Sequence, residues 1–160
     1  MIRSATPQDV PHIHRLMREL AEYERSLAEV TATEDDLRRA LFADQPAIFA
    51  HVAEHEGSVA GFALWFLNYS TWLGRHGIYL EDLYVTPAVR GTGLGRALLA
   101  ELLTLASAHG FHSVIARVAG HNETSIALHR AAGFELVGVE REVGRKHRQW
   151  LDVVELQRLL

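Results

Sequence analysis

Apolar and polar residues alternate with two different periods along this chain, and the switches between them mark its elements. Helical spacing comes first: Val10, Ile13, Leu16, Met17 and Leu20 recur at intervals of three and four and make one apolar face. Thr6-Pro7-Gln8-Asp9 opens that helix, with Thr6 as N-cap, Pro7 at the first position and Asp9 at the third. Met1–Ser4 ahead of it predicts a short strand. Ala21–Val30 is less regular and carries Glu22, Tyr23, Glu24 and Glu29, which by themselves read as a solvated charged surface. Thr33-Glu34-Asp35-Asp36 caps a second helix through Leu37, Ala40, Leu41 and Phe42, and Gln45-Pro46 ends it.

Strands follow. Ile48–Glu54 and Ser58–Tyr69 flank a His55-Glu56-Gly57 turn and predict an antiparallel hairpin. The second is long and apolar, as a central strand covered on both faces would be. A polar and aromatic loop over Asn68–Gly77 leads into Tyr79–Val85, a strand that Pro87 stops because it lacks an N–H for the ladder. A helix is predicted to start at about Arg96 and to run through Leu98–His109, with Gly110 closing it. Ser113–Val118 reads as a strand, Ile126–Ala132 as a short helix stopped by Gly133, and Phe134–Glu140 and Gln149–Glu155 as two strands. The basic segment Arg141–Arg148 lies between those two. The order is β-α-α-β-β-β-α-β-α-β-β in one domain, residues 1–160, with a sheet of mixed direction and helices on both sides: an α/β (α+β) class.

Composition narrows the possibilities. At 160 residues and 48% apolar content, one domain can bury a core. A net charge of −4 argues against a nucleic-acid partner and suits a cationic small substrate. No stretch is long and apolar enough for a membrane partner, and Met1–Pro7 lacks the apolar core of a signal peptide, so a cytoplasmic location is expected. The absence of cysteine excludes disulfides, thiolate catalysis and sulfur-ligated zinc. His12 and His14 diverge on a helix, and the ten histidines show no H-E-x-x-H spacing, so no metal is expected.

The candidate chemistry is concentrated around Tyr79-Leu80-Glu81-Asp82-Leu83-Tyr84-Val85 and the glycine loop after it, Arg90-Gly91-Thr92-Gly93-Leu94-Gly95-Arg96. Unpaired N–H groups at a helix start, with Arg90 and Arg96 beside them, suit a phosphate or pyrophosphate. A plain connection between strand and helix is the competing explanation. The spacing excludes a Walker A loop, and the strict alternation of Gly91, Gly93 and Gly95 excludes a dinucleotide fingerprint. Glu81 and Asp82 interrupt an apolar strand, so each needs a partner or a use. They should face opposite sides of the sheet unless a bulge re-aims one. An ion pair with Arg75, Arg117 or Arg130 would be a purely structural use.

Arg90-Gly91-Thr92-Gly93-Leu94-Gly95 resembles the R/Q-x-x-G-x-G/A loop of the GNAT superfamily of N-acetyltransferases. The resemblance implies the GNAT fold, a mixed and mostly antiparallel central sheet flanked by helices. It implies that the loop, from Arg90 to Arg96, holds the pyrophosphate of acetyl-coenzyme A (acetyl-CoA), and that the Leu83, Tyr84 and Val85 backbone pairs with the pantetheine arm. It also implies that Glu81 acts as general base on the acceptor amine, usually through water, since an ammonium must lose a proton before nitrogen can attack. Asn122-Glu123-Thr124-Ser125-Ile126-Ala127-Leu128-His129 through Gly133-Phe134 resembles the family's N-E-x-S-x-x-x-Y-x-x-x-G-F segment. Asn122 and Ser125 would then contact the coenzyme. His129 stands at the position of the tyrosine that protonates the departing thiolate, and a histidine can donate near neutral pH.

Two subfamilies are resembled. Leu20-Ala21-Glu22-Tyr23-Glu24, Tyr69-Ser70-Thr71-Trp72-Leu73-Gly74 and Tyr79–Val85 are similar to spermidine/spermine and thialysine acetyltransferases, which would place Tyr23, Glu24, Trp72, Glu81 and Asp82 around an amine. Ser125–His129, Val143-Gly144-Arg145-Lys146-His147 and Trp150–Val154 are similar to phosphinothricin-type acetyltransferases, in which the basic Arg141–Arg148 segment would favour a carboxylate or phosphinate. The expected reaction is direct acetyl transfer to a primary amine, a diamine, polyamine or lysine-like amine, with the amino-acid analogue as alternative. A coenzyme-binding sensor without turnover is the alternative of another class. A homodimer is expected from the family.

Overall fold

The computed structural model describes residues 1–146 and 149–160. Among these residues seven strands form one sheet: β1 (Ile2–Ser4), β2 (Phe49–His55), β3 (Ser58–Ser70), β4 (Arg75–Val85), β5 (Ser113–Ala119), β6 (Glu135–Lys146) and β7 (Gln149–Leu159). Four α-helices cover it: α1 (Val10–Tyr23), α2 (Glu34–Phe42), α3 (Leu94–Ala108) and α4 (Glu123–Ala131). The spatial order is β1-β2-β3-β4-β5-β7-β6, and only the β4–β5 neighbours run parallel. Among the described residues no helix is long and apolar enough to cross a membrane.

Two cores sandwich the sheet, and the sequence periodicity explains both. On one face Val10, Ile13 and Leu16 of α1 and Leu37 and Leu41 of α2 pack on Val52, Phe62, Leu64 and Tyr84. On the other, Leu98, Leu99, Leu102 and Ala106 of α3 pack on Ala53, Ala63, Trp65, Ile78, Leu80 and Val114. β3 contributes alternately to both, which is why it reads as a continuous apolar run.

Element boundaries differ from the sequence reading in several places. The expected Asn68–Gly77 loop is mostly ladder, with β4 starting at Arg75 and Ser70 paired to it; α4 starts at Glu123, and β7 runs on to Leu159. Helix α3 begins at Leu94 rather than near Arg96, because Gly93 at φ 89° turns the chain directly into it. Helix α1 continues to Tyr23, carrying the supposed charged surface into the helix end. Strand β6 extends to Lys146 rather than stopping at Glu140, and after an irregularity between Glu140 and Gly144 it pairs with β7 again from Gly144 to Lys146. His147 and Arg148 lie outside the described residues.

The edge of the sheet is tied to the first helix by charge. Both guanidinium arms of Arg3 donate to the Asp9 carboxylate at 2.7 and 2.9 Å, and Nε donates to Glu54 at 2.8 Å. Asp9 is only 3% exposed, and its Oδ2 also accepts from the Thr6 N–H and hydroxyl. The Arg3 guanidinium holds the Asp9 carboxyl well below the usual carboxylate range, against the opposing effect of burial. A depressed carboxyl contributes stability above its unfolded value near 4 and loses it as pH falls through its folded value. Asp9→Ala should lower the unfolding free energy at pH 7 by about 2–4 kcal/mol. Urea titrations of both proteins at pH 7 and pH 3 check this, and the gap should narrow at pH 3.

Candidate active site

The site is built where β4 leaves β5. Their parallel pairing covers only Ile78↔Val114, Tyr79↔Ile115 and Leu80↔Ala116. β5 continues on β7 as far as Ala119↔Val153, and β4 continues on β3 as far as Val85↔Gly61. A gap therefore opens beyond Leu80, and the Glu81–Val85 edge of β4 faces it without a strand partner.

The split coincides with a bulge. Leu80 pairs with Trp65 and Asp82 with Leu64, so Glu81 is an extra residue in the β4 ladder. Ahead of it, Ile78 and Leu80 face α3; after it, Leu83 and Val85 do. Asp82 shares its face with Tyr84 and Leu64, toward α1. Strict alternation would have put Asp82 on the α3 side; the extra residue reverses the faces. Both carboxylates line the gap.

From Val85 the chain turns through Thr86 and a 3-10 turn at Pro87–Val89 into the glycine loop. Gly91 and Gly93 sit at φ 81° and 89°, where a side chain would be strained. Gly95 has another use: a Cβ there would meet Leu128 of α4 at 3.3 Å, so it lets α3 and α4 approach. The first helical bond of α3 runs from the Ala97 N–H to the Gly93 carbonyl, which leaves the N–H groups of Leu94, Gly95 and Arg96 directed out of the helix start. A groove of about 500 Å³ runs from this loop along Leu83–Val85, between Leu20 and Tyr23 of α1 and Asn122, Ser125 and Leu128 of α4. Its loop amides and arginines at one end and extended strand edge beside it fit a long, pyrophosphate-bearing ligand such as acetyl-CoA.

Arg90 spans the mouth of the groove. Its Nε donates to the Val85 carbonyl at 3.0 Å, and its guanidinium lies 4.7 Å from the Tyr23 ring centroid and 5.4 Å from that of Tyr84. Tyr23, expected beside the amine, lines this groove at the end of α1, under Arg90.

A smaller cavity of about 60 Å³ adjoins the groove at the split itself, with room for water. Leu20, Leu83, Asn122 and Ser125 line both spaces, and the smaller one adds Glu24, Glu81, Asp82, Arg117 and His129. The Asp82 carboxyl is pushed up to about 7, first by burial and then by the charges of Glu81 and Glu24. Among the described residues no ion pair involves Glu81 or Asp82; Arg117 pairs with Glu140 instead. The structural use considered for these acids is thus not taken up.

Asn122 caps α4, its side-chain oxygen accepting from the Ser125 N–H at 3.1 Å. One turn on, His129 is 2% exposed with Nδ1 2.8 Å from the Ser125 carbonyl oxygen. Burial pushes its imidazole below the ordinary histidine range, and the Ser125 bond offsets part of this. Trp72 is not brought to the site. It is 96% exposed at the β3–β4 turn, and β4 alone separates that turn from Glu81 by about 20 Å at the usual strand rise. The expectation that Trp72 lines the amine site is corrected for the single chain. Sequence reading missed Leu20, which touches both cavities; its helical spacing marked it only as core.

The chain matches the acetyltransferase (GNAT) family over residues 12–134. It is 37% identical over 141 residues to a thialysine N-epsilon-acetyltransferase of Bos taurus, covering 83% of this chain and 82% of the relative. It is 35% identical over 165 residues to an L-methionine sulfoximine/L-methionine sulfone acetyltransferase of Pseudomonas paraeruginosa, covering 98% and 92%. Among solved structures, a phosphinothricin acetyltransferase from Sinorhizobium meliloti in complex with acetyl-CoA superposes with a TM-score of 0.82 at 31% identity, covering all of this chain and 88% of that one. The split sheet, the glycine loop and these relationships agree: the chain belongs to the GNAT family and is an acetyl-CoA-dependent N-acetyltransferase.

Proposed function

We propose that the acceptor is a small cationic amine, a diamine, polyamine or lysine-like molecule. The observation that carries this reading is the meeting of Glu24, Glu81 and Asp82 at the cavity that closes the coenzyme groove. Three carboxylates around one small space, against a single guanidinium, Arg117, that is already paired with Glu140, favour a cation over a carboxylate-bearing acceptor.

Acetyl-CoA, when bound, supplies an acetyl group activated as a thioester. The glycine-loop amides of Gly91–Arg96, with Arg90 and Arg96, hold its pyrophosphate. The open backbone edge at Leu83–Val85 aligns the pantetheine arm, and Asn122 and Ser125 fix its far end. Glu81, exposed on its bulge, takes the proton of the acceptor ammonium through water in the cavity. Asp82 and Glu24 hold the cation, and His129 serves the sulfur. A cytoplasmic homodimer belongs to the same reading, supported by the exposed Tyr69, Trp72 and Leu73 around the β3–β4 turn.

The second reading, an amino-acid analogue such as a sulfone or phosphinate, has the nearly full-length match to the methionine sulfone enzyme in its favour. Thiol release from acetyl-CoA against putrescine, spermidine, thialysine, lysine, phosphinothricin and methionine sulfone decides between them. Release with the cationic amines is the expected result; release confined to the amino-acid analogues would overturn it.

Roles within the site separate kinetically. Glu81→Gln should reduce kcat by about 10²–10⁴-fold and leave coenzyme affinity unchanged; an unaltered pH–rate profile would remove Glu81 from the chemistry. Asp82 ionises as pH rises through about 7, so KM for a cationic amine should fall over that interval. In Asp82→Asn the KM should be high and flat with pH. The same raised value makes the folded chain hold a proton that the unfolded chain releases between about pH 4 and 7, so ionised Asp82 weighs against folding. Thermal melts should therefore show a larger gain for Asp82→Asn at pH 8 than at pH 5.

A further inference from the structure

The free edge of β4 is already partly taken by a side chain of the same molecule. In an antiparallel ladder, residues alternate between pointing both backbone polar groups at the partner strand and pointing both away. The Thr86 N–H donates to the Ala60 carbonyl of β3 at 2.9 Å, so Thr86 and, two residues back, Tyr84 direct theirs to β3. Leu83 and Val85 therefore turn their N–H and C=O groups into the gap beyond Leu80. There the Val85 carbonyl accepts from Arg90 Nε at 3.0 Å. The guanidinium is also held against the rings of Tyr23 and Tyr84, 4.7 and 5.4 Å from their centroids. All four residues line the coenzyme groove, so the contact lies inside the space that the ligand must fill. Two sets of partners compete for this one side chain. Val85 and the rings offer a neutral acceptor and two aromatic faces. A pyrophosphate at the Gly91–Arg96 loop offers full negative charge, and charge-assisted bonds are about twice as strong as neutral ones. The guanidinium is a rigid plane, so its donors turn together.

We propose that Arg90 determines specificity for the acyl donor: its side chain holds the Val85 carbonyl until a pyrophosphate draws it away, so the pantetheine arm pairs well with β4 when it arrives with its phosphates. This rests on the acetyl-CoA reading of the groove and says which donors that groove disfavours. A thioester of bare pantetheine must displace Arg90 from Val85 with nothing to offer it in return. Coenzyme A displaces the same side chain and gives it a stronger partner in one event. The groove thereby separates coenzyme A thioesters from shorter thioesters that carry the same reacting end. It does so through a residue that lines the groove and not the cavity of Glu24, Glu81 and Asp82.

Two unlinked pieces of the coenzyme, pantetheine and inorganic pyrophosphate, test this on the wild-type protein by NMR titration. The backbone amides of Leu83 and Val85 report pantetheine, and those of Leu94, Gly95 and Arg96 report pyrophosphate. Saturating pyrophosphate should tighten pantetheine binding about threefold to tenfold, with the same tightening in the reverse order. In Arg90→Ala, pantetheine alone should bind about as tightly as it binds the wild type with pyrophosphate present. The enhancement should vanish in that variant, and coenzyme A should bind it more weakly than it binds the wild type. A residue that served only the phosphates would leave pantetheine indifferent both to pyrophosphate and to the substitution. A residue that only braced the loop would, when replaced, weaken pantetheine, pyrophosphate and coenzyme A alike. Either result overturns the proposal, and the wild-type titration decides it even if Arg90→Ala fails to fold. Coenzyme A that left both sets of amides unmoved would overturn the placement of the coenzyme in this groove, and the proposal with it. Coenzyme A that moves both sets, beside pantetheine that ignores pyrophosphate, overturns the proposal alone.

Discussion

One inserted residue in one strand governs this molecule. Glu81 has no counterpart on β3, and the bulge that accommodates it coincides with the parting of β4 from β5. A sheet whose strands stayed paired to their ends would have no slot at its centre, and its backbone donors and acceptors would all be consumed internally. Here a stretch of central strand retains an unpaired edge, and the fold tolerates this because the gap is lined by α1 and α4 rather than left as a void. The same insertion exchanges the faces of the strand, so Asp82 turns toward the end of α1 instead of into the α3 core.

The electrostatics of the site follow from that geometry. Acids clustered in a small space raise one another's proton affinity, and burial adds to the effect, which is why Asp82 titrates near neutrality. The imidazole across the gap moves the opposite way for the same reason: burial penalises charge of either sign. The Asp82 carboxyl is thereby brought to the range in which it can bind and release a proton near neutral pH. The Asp9 carboxyl shows the contrast. It too is buried, yet with both arms of Arg3 on it the charged form is favoured, and its work is structural.

Much of this was legible in the sequence, for identifiable reasons. The element order followed from periodicity and from Pro and Gly punctuation, and the glycine loop announced itself because few other arrangements need small residues at every second position. Glu81 and Asp82 stood out as charges in an apolar strand. What could not be read was the consequence of their adjacency: a bulge is a statement about two strands, and one strand's residues do not contain it. Trp72 illustrates a different limit. Its motif resembled an amine site, but a β-turn at the far end of the hairpin carries it away from Glu81. For His129 the residue type was visible and its tautomer was not, since that depends on a carbonyl one helical turn back.

Arg90 joins the two halves of the site in a way that residue-by-residue roles do not capture. Its guanidinium rests on Tyr23 at the end of α1 while its backbone belongs to the phosphate-type loop. Any anion that draws Arg90 toward the loop amides competes with the aromatic faces for it, and so loosens the clasp on the helix end that carries Glu24. Thermodynamic reciprocity then applies: whatever occupancy of the groove does to the position of α1, ligands held by α1 do in equal measure to the groove. Arg90 is thus a side chain that touches both the end of α1 and the strand that feeds the glycine loop.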